Sequence, residues 1–362
     1  MRKEAFVLRK LSVCILFGGV SPEHEVSCRS AESVLNNIDQ SKYNLFPVGI
    51  TKRGDWIHFT GDDYSMLPSG AWESYPDNRR AAISPVRGQG LLTFEGDCVV
   101  RERIDVVFPV LHGENGEDGA MQGLLQLAGI PFVGSHVPAS AVAMDKTLTK
   151  LVADQVGVRQ AAWLLVWSKE LDGKMESVLN RVEQRFSYPL FVKPAGTGSS
   201  VGVSKVRDRR GLQEALELAA KYDQKILVEE FVNGQEVEVA VMGNDNPVAS
   251  ICGEIVSGVE FYDYEAKYLS DTATTYIPAR IPEAAEEAIR EAAVRIYRAI
   301  GCRGLARVDF FVTRQEGDVV FNEINTMPGF TSISMYPKLF AASGIPYPEL
   351  LDQLIALASD TE

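Results

Sequence analysis

Two runs near the C-terminal end decide the reading of this chain: Arg307-Val-Asp309-Phe-Phe-Val312, and Val319-Val-Phe321-Asn322-Glu323-Ile-Asn325-Thr-Met-Pro-Gly329. Each is apolar enough to be a buried strand, and Gln315-Glu-Gly-Asp318 between them suits a hairpin turn. Alternation puts Arg307, Asp309 and Phe311 on one face of the first strand and Phe321, Glu323 and Asn325 on one face of the second. Two carboxylates, a carboxamide and a guanidinium then converge in a greasy hairpin. Burying two like charges together is unfavourable unless a cation joins them. Hard oxygen donors in that number suit Mg²⁺, which keeps only a few protein ligands and takes phosphate oxygens as well. A structural ion pair from Arg307 to Asp309 or Glu323 explains the same residues, so the hairpin alone leaves both readings open.

The remaining sequence narrows the choice. At 362 residues and 46% hydrophobic content, the chain suffices for two or three domains, each with its own core. With 36 Lys and Arg against 49 Asp and Glu, net charge is −13. That balance argues against binding nucleic acid or an anionic membrane surface. Any phosphate site must be built locally from Lys, Arg and backbone N–H groups. The five cysteines are scattered and form no C-x-x-C pair, which points to a reducing cytoplasm rather than a disulfide framework. The N-terminal run is broken by Arg9 and Lys10 and does not read as a signal peptide. No apolar run approaches the ~18 residues of a membrane span.

In chain order, Leu11–Phe17 is a strand ending at Gly18-Gly19, Ser27–Asn36 a helix with Ser27 as candidate N-cap, and Tyr43–Ile50 a second strand. This β-loop-α-β opening starts an open parallel sheet, whose ligands bind at the carboxyl ends of the strands. Glu23 and Glu25 lie at such an end. Residues 51–100 read as short strands and loops elaborating the first domain. Ile104–Val110 is a strand whose exit loop carries His112, which fits either a satisfied loop histidine or a site residue. Ala120–Ala128 is a helix, and Ile130–Val133 a returning strand. One helix is expected from Met144 to Val156. The strand Tyr188–Lys193 leads into Pro194-Ala-Gly196-Thr-Gly198-Ser199-Ser200-Val-Gly202, a glycine-rich loop between two strands. It matches neither common nucleotide fingerprint. Its backbone N–H groups and two hydroxyls can still wrap phosphate oxygens, and glycines this dense carry an entropic cost without a use. The strand Lys225–Val232 could offer backbone groups to an adenine edge with Phe231 packed on the ring. Residues 257–275 show neither helix nor strand period but carry Tyr262, Tyr264, Lys267 and Tyr268, as a closing flap would.

Six motifs now stand in order: Gly18-Gly19-x-Ser-x-Glu23-x-Glu25-Val-Ser27, His112-Gly-x-x-Gly-Glu-Asp-Gly, Lys193-Pro-x-x-x-Gly-Ser199-Ser200-Val-Gly, Phe-Tyr-Asp-Tyr-Glu-Ala-Lys267-Tyr268, Arg307-Val-Asp309 and Glu323-Ile-Asn325-Thr-x-Pro-Gly329. Together they resemble the D-alanine–D-alanine ligases of the ATP-grasp superfamily over nearly the whole chain. The resemblance implies an α/β, ATP-grasp fold of three α+β domains, divided as 1–134, 135–228 and 229–362. The first holds the open parallel sheet, and nucleotide lies between the central and C-terminal sheets. It implies ATP and two Mg²⁺, with Mn²⁺ able to substitute, the metal held by Asp309, Glu323 and Asn325.

On the same resemblance, Lys146, Lys193 and Lys267 contact nucleotide phosphates under the loop bearing Ser200. Glu229, Glu230, Phe231 and Val232 line the adenine pocket, Glu236 meets the ribose, and Phe311 and Asn322 also bind the nucleotide. Glu23 anchors the ammonium of the first D-alanine, with Ser199 and Tyr268 hydrogen-bonded to it. Arg307 and the Gly329 N–H stabilise the tetrahedral intermediate. His112 and Ser334 bind substrate, Ser334 through the carboxylate of the second D-alanine. The implied reaction activates one D-alanine as an acyl phosphate, which the amine of the second attacks, giving D-Ala-D-Ala for peptidoglycan. A cytoplasmic homodimer is expected. An acceptor other than D-alanine (D-lactate or D-serine), or a nucleotide-binding protein without catalysis, are the competing readings.

Overall fold

The computed structural model describes residues 9–198, 201–256 and 274–360. The strand β1 (Leu11–Gly18) is buried from Ser12 onward, as an unbroken apolar run demands of a central parallel strand. It pairs in parallel with β2 (Tyr43–Ile50) and β7 (Val106–Pro109). Residues 51–100 do more than decorate this core. Strands β3 (Trp56–His58), β4 (Arg79–Ile83), β5 (Leu91–Glu95) and β6 (Cys98–Glu102), with the short helix α2 (Met66–Ser69) between β3 and β4, extend it antiparallel, giving a seven-stranded mixed sheet in the order β6-β5-β4-β3-β2-β1-β7.

The helix α1 (His24–Asn37) starts one turn earlier than its sequence suggests, with Glu23 at the N-cap. Ser27 is therefore an interior residue. Its buried hydroxyl donates to the Val110 carbonyl and accepts the Gly18 N–H at 2.8 Å, tying the ends of β1 and β7 together. Gly18 has φ +83°, and a Cβ there would lie 2.2 Å from the Ile50 carbonyl oxygen. Only glycine fits that turn. The expected strand Ile130–Val133 makes one isolated parallel bridge, Phe132 to Val107, after α3 (Ala120–Ala128). The expected helix Met144–Val156 is two helices, α4 (Val137–Met144) and α5 (Lys146–Gln155). Asp145 is extended between them, and its carboxylate accepts the Thr147 and Leu148 N–H groups.

A four-stranded antiparallel sheet follows, ordered β10-β9-β11-β8, from β8 (Trp163–Trp167), β9 (Leu190–Pro194), β10 (Ser204–Val206) and β11 (Lys225–Glu230). The helices α6 (Met175–Arg185) and α7 (Arg209–Ala219) cover one face through Val178, Leu179, Val182, Leu212, Ala215 and Leu216.

The third sheet is five-stranded and antiparallel. It comprises β12 (Gly234–Met242), β13 (Val248–Val256), β14 (Thr274–Tyr276), β15 (Leu305–Thr313) and β16 (Val319–Asn325), ordered β14-β13-β12-β15-β16. The long helix α8 (Glu283–Ile300) packs Ala285, Ile289, Ala293, Ile296 and Tyr297 on it at 3.6-residue spacing. Finally α9 (Met335–Ala342) and α10 (Tyr347–Ser359) bury Tyr336, Leu339, Phe340, Leu350 and Leu354. They share one core with Val13, Ile15 and Phe17 of β1. The C-terminal end of the chain thus closes the face of the first sheet.

Candidate active site

The hairpin forms as read: β15 and β16 are antiparallel, with Gly317 at φ +71° in the turn. Its faces differ from simple alternation. Arg307 pairs with Asn325 and Asp309 with Glu323, but Phe310 then pairs with Phe321. Asn322 is left over as the extra residue of a bulge. Phe321 consequently turns away from the Glu323 face and meets Phe310 in the core, ring centroids 5.8 Å apart. The bulge separates an apolar half of the hairpin from a polar half. On the polar half Arg307 forks onto Asp309, Nε to Oδ1 at 2.7 Å and Nη2 to Oδ2 at 2.8 Å. Its Nε is also 3.2 Å from Glu238 of β12. Asn325 Nδ2 is 3.5 Å from Asp309 Oδ2.

This face forms one wall of a cleft of about 540 Å³. The opposite wall comes from β9 and β11. Lys193, at the end of β9, places its ammonium 2.6 Å from Glu229 of β11. A second lysine, Lys150, is 2.5 Å from the other oxygen of the same carboxylate. Burial alone would push the Glu229 carboxyl up, but the two ammonium groups outweigh it and hold it at about 2. Burial likewise works against the charged form of Lys193, and Glu229, Glu323 and Glu236 overcome it, so its pKa is raised. Lys146, in the first turn of α5, donates to the Thr197 carbonyl at 2.8 Å and lies 3.7 Å from Glu323, bridging the two walls.

Toward the mouth, Glu230 accepts the Ala162 N–H at 2.8 Å, and Phe231 stands half-exposed under the Lys205 ammonium, 4.2 Å from the ring centroid. Val232 lines the cleft beside them, and Glu236, Phe311 and Asn322 line the facing wall. Across the sheet Glu236 pairs with Phe311.

The third wall comes from the first sheet. Glu23 is buried, and its N–H donates to Ser21 Oγ, which donates in turn to the His112 carbonyl at 2.7 Å. A Cβ on Gly113 would lie 2.5 Å from Glu23 Oε2, and one on Gly198 3.1 Å from the same atom. The carboxylate therefore sits where the histidine loop and the glycine-rich loop meet. His112 is buried, its Nδ1 3.0 Å from the Met327 carbonyl and its Nε2 3.2 Å from Ser30 Oγ. Ser30 Oγ also accepts the Phe330 N–H at 3.2 Å. His112 thus braces residues 327–330 while lining the cleft. Burial would lower its pKa, but Glu117, Glu23 and the Met327 carbonyl raise it. Gly329 lines the cleft, and Ser334 stands behind it at the N-cap of α9, where its hydroxyl contacts Thr331 Oγ1 at 2.8 Å.

Ser199, Ser200, Lys267 and Tyr268, with Tyr262 and Tyr264, lie outside the described residues. Of the expected flap, Thr274 and Thr275 belong to β14. Three residues of the site went unread in the sequence. Lys150 stands one helical turn from Lys146, Glu238 two residues beyond Glu236 on the same strand face, and Lys205 on β10. The two spacings were visible signals; the approach of Lys205 to Phe231 needed the fold.

Among the described residues no group of three or more His, Cys, Asp and Glu converges on a point. The donor set on β15 and β16 is two carboxylates and one carboxamide, with Arg307 and Lys146 as countercharges. That set fits a hard divalent cation that also takes ligand oxygens, and does not fit a fully protein-caged metal.

Residues 12–135 match the family described as D-ala D-ala ligase N-terminus, and residues 152–356 the family D-ala D-ala ligase C-terminus. The chain is 52% identical over 361 residues to the D-alanine–D-alanine ligase of Acetivibrio thermocellus, covering 96% of each. It is 48% identical over 358 residues to that of Caldicellulosiruptor bescii. In structure it resembles the VanG D-Ala:D-Ser ligase of Enterococcus faecalis (TM-score 0.87, 39% identity, 97% of this chain and 100% of that one). It also resembles the D-alanine–D-alanine ligase of Coxiella burnetii (TM-score 0.83, 37% identity, 97% and 96%). Two walls that carry a carboxylate pair and a lysine pair, closed by a third wall carrying Glu23, therefore belong to an ATP-grasp fold, and the chain is a member of the D-alanine–D-alanine ligase family.

Proposed function

We propose that this cleft joins two D-alanines to D-alanyl-D-alanine with consumption of ATP to ADP and phosphate. The observation that carries the reading is the confrontation, across one cleft, of Arg307, Asp309, Glu323 and Asn325 with Lys146 and Lys193, while Glu23 closes the end. A carboxylate is a poor electrophile. Its oxygen attacks the γ-phosphorus, ADP leaves, and the resulting acyl phosphate is open to an amine. The second amine, deprotonated, attacks the carbonyl carbon, and phosphate departs.

Lys146 and Lys193 offset the charge of the nucleotide phosphates. Glu23 holds the ammonium of the first D-alanine, presenting its carboxylate toward the phosphate. Arg307 and the Gly329 N–H meet the oxyanion as it develops, where preorganised donors are most effective. Ser334, at a helix N-terminus behind Gly329, suits the carboxylate of the second D-alanine. Asp309, Glu323 and Asn325 would hold Mg²⁺, which when bound neutralises phosphate charge. The same reading assigns phosphate or substrate contacts to Ser199, Ser200, Lys267 and Tyr268. It assigns an adenine pocket to Glu229, Glu230, Phe231 and Val232, a ribose contact to Glu236, and further nucleotide contacts to Phe311 and Asn322. It divides the chain near Gly134 and Val228.

The deciding experiment follows ADP release with ATP, Mg²⁺ and D-alanine, and identifies the product by mass. D-Ala-D-Ala is expected; absence of D-alanine-dependent turnover would defeat the reading. The likeness to a D-Ala:D-Ser ligase favours one rival acceptor, so D-serine and D-lactate belong in the same assay. No described helix is long and apolar enough to cross a membrane. A cytoplasmic homodimer is part of the proposal, testable by cell fractionation and light scattering.

A further inference from the structure

Lys150 is the most deeply buried lysine of the site, with 2% of its side chain exposed. It belongs to α5, and among the described residues its ion-pair partner is Glu229. The carboxylate of Glu229 is divided between two cations. Oε1 is 2.5 Å from Lys150 and Oε2 is 2.6 Å from Lys193. Two ammonium groups and one carboxylate leave a surplus of one positive charge in a dry place. The two lysines are not equivalent, because Lys193 lines the cleft and Lys150 does not.

A buried ion pair is a poor stabiliser compared with apolar side chains of the same volume. The cluster therefore calls for a reason other than stability. Glu229 fixes the direction of the Lys193 side chain. Alone with Lys193 it would also neutralise it, and a neutral pair attracts no phosphate. The surroundings aggravate this, since Glu23, Glu236, Glu238, Asp309 and Glu323 all line the same cleft. A second cation placed behind Glu229 removes the conflict.

We propose that Lys150 is a positioning residue for nucleotide phosphate: its ammonium cancels the charge of Glu229, so that Glu229 can aim Lys193 into the cleft without neutralising it. The inference rests on the nucleotide reading of the cleft, and deepens it by assigning the net charge of the site to a residue that touches no ligand.

The test measures ADP affinity by titration calorimetry in excess Mg²⁺, with kcat, the KM for ATP and thermal melting in parallel. Lys150→Met leaves Glu229 and Lys193 as a neutral pair. ADP affinity and the KM for ATP should worsen by roughly tenfold or more, the scale of one charge at several ångströms in an effective dielectric near 20. The kcat at saturating ATP should fall much less. Removing the second charge as well, in Lys150→Met/Glu229→Gln, restores one net positive charge at Lys193. Because Glu229 is also assigned to the adenine pocket, this double variant is read with inorganic tripolyphosphate, which carries no adenine: its affinity for that anion should return to within a few-fold of the parent's, and Lys150→Arg should keep both the tripolyphosphate and the ADP affinity throughout.

A purely structural Lys150 would lower the melting temperature of Lys150→Met and leave ADP affinity of the folded protein unchanged, which would overturn the proposal. If Lys150→Met does not fold, the double variant decides, because a tenfold loss of tripolyphosphate affinity there would show that Lys193 needs the ion pairs and not the charge. If the parent enzyme itself does not bind ADP, the nucleotide reading fails, and that outcome is distinct from a parent that binds equally well with and without Lys150.

Discussion

At the residue scale the sharpest assignment is Arg307. Its fork onto Asp309 holds it in place before any charge develops in the cleft. Arg307→Met should lower kcat by ~10²-fold or more, the order found when one oxyanion donor is removed, while ADP affinity changes less. Collapse of ADP affinity with kcat intact would make Arg307 a nucleotide-binding residue instead. Asp309→Asn or Glu323→Gln should nearly abolish ligation with the fold retained, as seen by circular dichroism. Turnover at the parental rate in ordinary Mg²⁺ would remove both from the metal site. His112 gives a pH-dependent case. Its pKa is raised in the folded protein, despite burial, by Glu117, Glu23 and the Met327 carbonyl. The stabilisation from its protonated form is complete below the ordinary histidine value near 6.5 and is lost as pH rises through the higher folded value. Denaturant titrations should show the parent's advantage over His112→Gln shrinking as pH rises past that value, and an advantage growing with pH would refute the charged state.

Among the elements, the break between α4 and α5 has the clearest consequence. Asp145 caps α5 through two backbone N–H groups and is paired with Lys225 of β11. The cap and the pair together fix where Lys146, the next residue, enters the cleft. Asp145→Ala should destabilise the fold by about 1–2 kcal/mol, the usual value of an N-cap, readable as a shift in urea midpoint. It should also raise the KM for ATP, because Lys146 loses the turn that aims it. A stability loss with an unchanged KM would confine Asp145 to a capping role. The bulge at Asn322 acts on the same scale. One extra residue turns Phe321 into the core and leaves Glu323 beside Asp309.

Across the whole molecule, the C-terminal helices belong to the core of the first sheet. Leu354 of α10 is fully buried with Val13, Ile15 and Phe17, and Asp352 accepts hydrogen bonds from Lys42 and Tyr43. Residues far apart in sequence thus fold as one body. Leu354→Ala should cost about 2–5 kcal/mol, as large-to-small core changes do, and should shift the unfolding of the N-terminal sheet to lower denaturant. An unchanged signal from that sheet while α10 melts separately would show that the two are uncoupled.

The sequence by itself determined the hairpin, its turn, the polar residues on its strands, the strands at Leu11–Phe17, Tyr43–Ile50 and Lys225–Val232, and the helix Ala120–Ala128. These depend on local alternation and on 3.6-residue periodicity, which adjacent residues carry. It also carried the ordered motifs that mark the family. Tertiary structure decided where elements begin and what faces what. Ser27 looked like a cap and is an interior residue, because its hydroxyl serves strand ends brought together only by the sheet. Ile130–Val133 had strand composition but found only one parallel bridge beside β7. Phe321 shared a period with Glu323, yet a bulge set by cross-strand pairing placed it in the core. Lys150 went unread, since nothing local records that Glu229, 79 positions later, would bury it against Lys193. Local periodicity fixes which way a side chain leaves its own element. Only packing decides which charge it meets there, and in a low-dielectric cleft that meeting sets the chemistry.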